Sequence, residues 1–228
     1  MGSKTNAALT KHVAPRVPRM APELTASFVR EALHRAINGV GPLPPAAEAA
    51  DKELREHRGD VEKAVHATID VHVRYAGAQG LVTGLGGVVT AAVMIPANVT
   101  GLALIQARMI AAIAHLRGYD LDDARVRNAI LACMLGEDQV NDLIKRKLLP
   151  APPMALATAP VNDPDLDRVL SAEVTSDLIT QAGGKRLAIT IGRRVPLVGG
   201  VFGMGIDGVD TWRVGRYAGR ELRPRARR

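Results

Sequence analysis

The chain has 228 residues, enough for one domain with a sizeable core and short for two. Apolar residues at 47% exclude wholesale disorder. Aromatics at 3% leave Ala, Val, Leu and Ile to build the core, against β-sandwiches and against nucleic-acid modules that stack bases on aromatic rings. The net charge of +7 is concentrated in residues 193–228, where nine arginines face Asp207, Asp210 and Glu221; such a segment attracts lipid or nucleic-acid polyanions, or serves only as a solubilising tail.

Residues 1–20 mix Lys4, Lys11, Arg16 and Arg19 with prolines and contain no apolar run of the signal-peptide kind. They read as a flexible basic tail before a domain over 21–220, with an arginine-rich tail over 221–228. A cytoplasmic protein, peripheral at the inner face of the cell membrane, is the expected setting. The first helix begins near Pro22 and carries Leu24, Phe28, Leu33 and Ile37 to Asn38-Gly39. A rigid connector, Gly41-Pro-Leu-Pro-Pro45, leads to a short helix over 46–57. Asp60 is a good N-cap for a third helix from Val61 to about Gln79.

From Tyr75 to Ala107 no residue is charged, which is long enough to count as a membrane-span candidate. Pro96 and six glycines weaken that reading and favour a buried hairpin of two helical segments broken at the proline. Gly80, Gly84, Gly87 and Ala91 recur at i, i+4, i+7 and i+11, so they form a groove for close backbone approach. The segment after Pro96 is apolar nearly all round, with Asn98, Gln106, Arg108 and His115 as its polar exceptions. An arginine there must pair, snorkel or mark a site. Pairing with Asp207 or Asp210 and contact with an anionic ligand are the two readings.

Asp120-Leu-Asp-Asp123 resembles a capping box for a helix to Leu135-Gly136, followed by a shorter one over 137–147. The lone Cys133 lies inside the apolar run 129–135 and reads as a buried structural thiol. Residues 150–160 read as an extended linker. A helix starts at Asp163-Pro164, breaks at Gly183-Gly184, and gives way to a short helical stretch over 185–194 and a last helix over 196–222.

In the last helix Gly200, Gly203, Asp207 and Asp210 make one seam ending in two carboxylates, and Gly84 and Gly203 are expected in tight helix contacts. A carboxylate pair can do acid–base work; the plainer role is an Asp210–Arg213 ion pair with Asp207 bonded to a packed neighbour. Gly84-Leu-Gly-Gly87 lacks the spacing of a dinucleotide fingerprint, and Gly183-Gly-Lys185 lacks that of a P-loop. His66 and His72 share no helical face well, so no metal site is expected, and no cofactor.

Several stretches together resemble the EcsC family of bacterial proteins. They are Ala36-Ile-Asn-Gly-Val-Gly-Pro-Leu-Pro-Pro45, Gly80-Leu-Val-Thr-Gly-Leu-Gly-Gly87, Ile95-Pro-Ala-Asn98, Ile105-Gln-Ala-Arg-Met-Ile-Ala-Ala-Ile-Ala-His-Leu-Arg-Gly-Tyr119, and Val195-Pro-Leu-Val-Gly-Gly200 followed by Asp207. The resemblance spans roughly residues 30–220 and implies a membrane-associated context, because the family is named after a gene beside a transporter; it supplies no catalytic residue. The expected fold is all-α, a single-domain helical bundle around two glycine-rich apolar helical segments. The first functional reading is non-enzymatic: binding of lipid or another apolar ligand, or docking at a membrane protein such as a transporter. Its site residues are Gly84, Gly86, Gly87, Pro96, Asn98, Gln106, Arg108, Gly200, Asp207 and Asp210. The alternative is a small hydrolase using Asp207 and Asp210. An anionic membrane surface or lipid is the leading partner, then a membrane protein, with nucleic acid below them; a homo-oligomer is left open.

Overall fold

The computed structural model describes residues 22–41, 43–85, 91–192 and 198–225, and all its regular elements there are helices. Helix α1 (Pro22–Asn38) buries Val29, Ala32, Leu33, Ala36 and Ile37, the spacing of a single helical face. It stops at Gly39, whose φ of 82° suits glycine. A Cβ on Gly39 would stand 2.5 Å from the Leu43 carbonyl oxygen. The glycine thus lets the chain fold back on itself, with Val40 and Leu43 exchanging backbone hydrogen bonds of 3.0 Å. Pro44 and Pro45 then lead directly into α2 (Ala46–Glu56).

Asp60 caps the next helix through a 3.1 Å bond from the Lys63 amide. That helix, α3 (Val61–Leu85), runs past the expected stop at Gln79. Helix α4 (Ala91–Leu116) continues through Pro96, where a break was expected. The proline falls in its second turn and removes one ladder bond, a local loss that the long helix survives. The uncharged run is thus divided between α3 and α4. Among the described residues no helix is long and apolar enough to cross a membrane.

Helix α4 is the axis of the bundle and touches α1, α2, α3, α5, α7 and α8, the last three introduced next. Its second half is accordingly buried all round, from Gln106 through Ala114. Each fully buried Ile, such as Ile110 and Ile113, contributes roughly 1.5–3 kcal/mol of transfer free energy. Helix α5 (Ala124–Lys145) has Asp123 as its N-cap, accepting from the Arg125 amide, and kinks at Gly136 with φ 77°, so it behaves as the two expected helices. Cys133 is completely buried within it, and burial pushes its thiol pKa well up.

Where an extended linker was expected, Pro153–Ala157 form a short helix, α6. Pro153 suits a helix start, and Leu156 and Ala157 find α5 to bury against. Helix α7 (Pro164–Gly192) passes through Gly183-Gly184 without the expected break. Two interior glycines cost about 1 kcal/mol each, and the buried stripe Leu166, Leu170, Val174 and Leu178 anchors the helix elsewhere.

Helix α8 (Val198–Glu221) lies antiparallel along α3, with Gly208 against Val73, Gly215 against Ile69 and Gly219 against Val65. Among the described glycines of α8, Gly215 makes the tightest crossing: a Cβ there would come within 3.0 Å of both Ile69 Cγ1 and Met109 Sδ. The expected close contacts at Gly84 and Gly203, and the whole of residues 1–20, Gly86 and Gly87, lie outside the described side chains or residues. After α8 the chain stays docked. Leu222 is fully buried, the Arg225 amide donates 2.8 Å to the Arg117 carbonyl, and the Arg225 guanidinium lies 5.5 Å from the Tyr119 ring centroid.

Candidate functional site

A cleft of about 240 Å³ opens where α2, α3, α4 and the Pro44 turn meet. Pro44, Glu48, Thr68, His72, Tyr75 and Arg108 are among its lining residues. Arg108 is 5% exposed, and its guanidinium donates to the Pro44 carbonyl oxygen. The turn built on Gly39 places that acceptor. Two consecutive prolines have no N–H of their own, so the carbonyl is the hydrogen-bonding group this backbone presents. Burial lowers the Arg108 pKa, opposed by Tyr75 and Glu48, yet an arginine stays charged in any protein setting.

On α3, one turn apart, stand Thr68 and His72, both buried. The His72 Nδ1 is 2.7 Å from the Thr68 carbonyl oxygen. A carbonyl only accepts, so Nδ1 carries the hydrogen and Nε2 presents a lone pair. Neither His72 Nε2 nor Thr68 Oγ1 makes a hydrogen bond. Burial, and to a smaller degree the Arg108 charge, bring the His72 pKa down to about 4 against the opposing Thr68 bond, so the ring is neutral at pH 7. Tyr75, more than half exposed, stands edge-on to His72 at 5.9 Å between centroids. The outer lining mixes Glu48 and Glu53 with Lys52 and Arg55.

The other proposed site residues are distributed differently. Gln106 and Arg108, two positions apart, point to opposite sides of α4. Gln106, 1% exposed, donates 3.4 Å to the Asp210 carboxylate on α8. Asp210 therefore bonds across the α4–α8 contact, where an Arg213 ion pair was one expectation. Asp207 is buried. Neither aspartate lines the cleft, and the bond from Arg108 goes to Pro44 where an aspartate was one expected partner. His115 reaches Asp51 on α2 at 2.9 Å. Gly84, Pro96, Asn98 and Gly200 lie on α3, α4, α4 and α8, with surroundings outside the described side chains. Among the described residues no three His, Cys, Asp or Glu gather as a metal site. His72 and Thr68 were not singled out for this cleft from sequence. The available signal was a histidine and a threonine at i, i+4 on an otherwise apolar helix face.

The sequence matches the EcsC protein family over residues 3–226. The chain belongs to the EcsC protein family. No curated protein and no solved structure matches it. The family match reaches further at both ends than residues 30–220, and it takes in the docked segment with Leu222 and Arg225. Two of the stretches that carry the resemblance to EcsC proteins meet at the cleft: 36–45 contains the turn with Pro44, and 105–119 contains Arg108.

A second feature lies on the outer side of α8. Val209, Trp212, Arg213, Arg216 and Arg220 are all exposed and recur at i, i+3, i+4, i+7 and i+11, the spacing of one helical face. Trp212 is 49% exposed, large for the chain's one tryptophan. The Arg216 guanidinium lies 5.9 Å from its ring centroid and 3.3 Å from His66 Nε2. Arg220 pairs with Glu137.

Proposed function

We propose that this EcsC-family protein is a non-enzymatic, peripheral membrane protein that engages anionic lipid surfaces through the outer face of α8. The observation that supports this most directly is the stripe of exposed Val209 and Trp212 interleaved with Arg213, Arg216 and Arg220. Tryptophan favours the headgroup level of a bilayer, and arginines beside it attract anionic lipids. Each arginine near such a surface contributes about 1 kcal/mol, fading within a Debye length. Arg223 and Arg225, past the end of α8, are exposed as well.

Vesicle co-sedimentation tests the reading. At low salt the protein should partition onto phosphatidylglycerol-containing vesicles far better than onto phosphatidylcholine alone, and added salt should release it. Arg213→Gln with Arg216→Gln should weaken partition by roughly tenfold or more, and Trp212→Ala should remove the salt-resistant remainder. Truncating the tail is the wrong variant, because Leu222 is part of the core. Equal partition onto both vesicle types at low salt would overturn the proposal. Displacement by duplex DNA with a steep salt slope would reassign the surface to nucleic acid.

A further inference from the structure

The buried polar groups of the α2–α3–α4 cleft are mutually incomplete. Arg108 is a buried cation whose hydrogen bond goes to a neutral carbonyl. A guanidinium has five N–H donors and is best matched by an oxyanion. A buried charge without a counter-charge is costly. The lining carboxylates, Glu48 and Glu53, make no ion pair with Arg108. His72 Nε2 has the opposite need: it is a buried lone pair and requires a donor. Thr68 Oγ1, also unbonded, serves as donor or acceptor. One acceptor in need of a donor, one hydroxyl that can serve either way and one cation in need of an anion thus belong to residues that line the same small space.

We infer that this cleft binds a small oxyanion that carries its own hydroxyl, the anion on Arg108 and the hydroxyl on His72 Nε2 and Thr68 Oγ1. A fully ionised anion such as sulfate presents acceptors alone and leaves His72 unanswered. A neutral polyol leaves Arg108 unanswered. The outer charges, Glu48 and Glu53 against Lys52 and Arg55, offset one another and leave Arg108 as the excess cation, which favours a singly or doubly charged ligand over a polyphosphate. The volume of about 240 Å³ suits a group of the size of phosphoglycerol and is small for an acyl chain. Such a group occurs as free glycerol 3-phosphate and as the headgroup of phosphatidylglycerol. The inference does not rest on the α8 surface.

Calorimetric titration of the full-length protein with glycerol 3-phosphate, ethyl phosphate and glycerol, alongside 15N NMR of the imidazoles, tests it. Glycerol 3-phosphate should bind, should raise the melting temperature, and should shift the His72 Nε2 resonance in the direction of an accepted hydrogen bond. At mildly alkaline pH, where its phosphate carries no proton, ethyl phosphate should bind more weakly and leave that resonance near its free position. Arg108→Met should weaken glycerol 3-phosphate binding roughly tenfold or more, as expected for a charge-assisted hydrogen bond. Thr68→Val, a smaller change of shape, should weaken it several-fold and guards against loss of fold in the first variant. Trp212→Ala should leave this soluble binding unchanged, so failure here and failure of the α8 reading are separable. Phosphatidylglycerol vesicles that shift the His72 resonance identify the lipid headgroup as the source; a response to soluble glycerol 3-phosphate alone identifies the free compound. No binding at millimolar glycerol 3-phosphate, or equal binding of ethyl phosphate with no movement of the His72 resonance, would overturn the assignment.

Discussion

Arg108 and Arg117 sit nine residues apart, one inside α4 and one just past its end, and they are 5% and 6% exposed. Arg117 is held by Glu62 through both terminal nitrogens, one bond being 2.9 Å, and lies 3.5 Å from the Gly219 carbonyl. Its own carbonyl accepts from Arg225. It ties α3, α4 and the end of α8 together. Arg108 has no carboxylate in contact and borders a cleft. Equal burial therefore supports two different roles. A buried guanidinium that meets its counter-charge within the fold is a strut, and one that does not is a candidate site.

The largest consequence of that difference is a pH signature on one side of it. His72 lies beside Arg108 on the cleft, with Glu48 and Glu53 of α2 opposite and Tyr75 on its own helix. Its pKa falls from the ordinary 6.5 to about 4 in the folded protein. The unfolded chain thus binds the extra proton first. Stability from this group is complete above pH 6.5, is lost as pH falls from there toward about 4, and levels off below. The loss is at most about 3 kcal/mol for a shift of this size. Denaturant unfolding of the parent and His72→Gln at pH 7 and pH 4.5 should show the parent losing more. Equal losses would mean that the ring is as readily charged when folded, and the cleft would lose its neutral acceptor.

The strut side gives the next effect. Glu62→Gln keeps a polar partner but removes the charge that Arg117 faces. Fully buried pairs lose 3–5 kcal/mol when broken. The Glu62 side chain is 60% exposed, so a loss of roughly 1–2 kcal/mol is expected once solvent screening is allowed for. Glu48→Gln at the cleft should stay within about 0.5 kcal/mol of the parent, since Glu48 forms no ion pair with Arg108. Thermal unfolding of the two variants side by side checks this. A larger loss at Glu48 than at Glu62 would reverse the assignment of strut and site.

The two arginines also show how far the sequence could be read. Helical periodicity, the Asp60 cap, the buried Cys133 and the demand that Arg108 find a partner were all legible, because each follows from local spacing or from the cost of burying a charge. The partner was not. Pro44 contributes a backbone carbonyl 64 residues away, and a backbone acceptor leaves no side-chain signature. The turn that delivers it depends on the positive φ at Gly39, legible as a helix stop but not as an aim. The glycine stripe was similarly half legible. Small residues at helical spacing announced close packing; among the described glycines a tight crossing, against Ile69 and Met109, falls at Gly215, a position the seam through Gly200, Gly203 and the aspartates did not include. Tertiary packing sets the contact at Gly215. It also carries α7 through Gly183-Gly184 and folds α6, where local propensity favours a break and a loop.

The smallest expected change in stability is the sharpest test of the comparison. Arg108→Met keeps a long, flexible side chain and removes a buried charge that makes no ion pair within the fold. Replacing a buried charge by an apolar side chain of similar volume is often neutral or stabilising, and the Pro44 carbonyl left behind belongs to an exposed residue that water can reach. The variant should therefore melt at or slightly above the parent temperature in the absence of ligand, while losing the oxyanion binding argued above. Arg117→Met strands no deeply buried acid, but it removes the tie to α3 and α8, and it should melt below the parent. A protein that keeps Arg108 at a net cost to its own stability retains it for something outside the fold, in the manner of other sites where function and stability pull apart. If Arg108→Met instead unfolds as readily as Arg117→Met, then both arginines are struts, and the Pro44 bond alone accounts for Arg108.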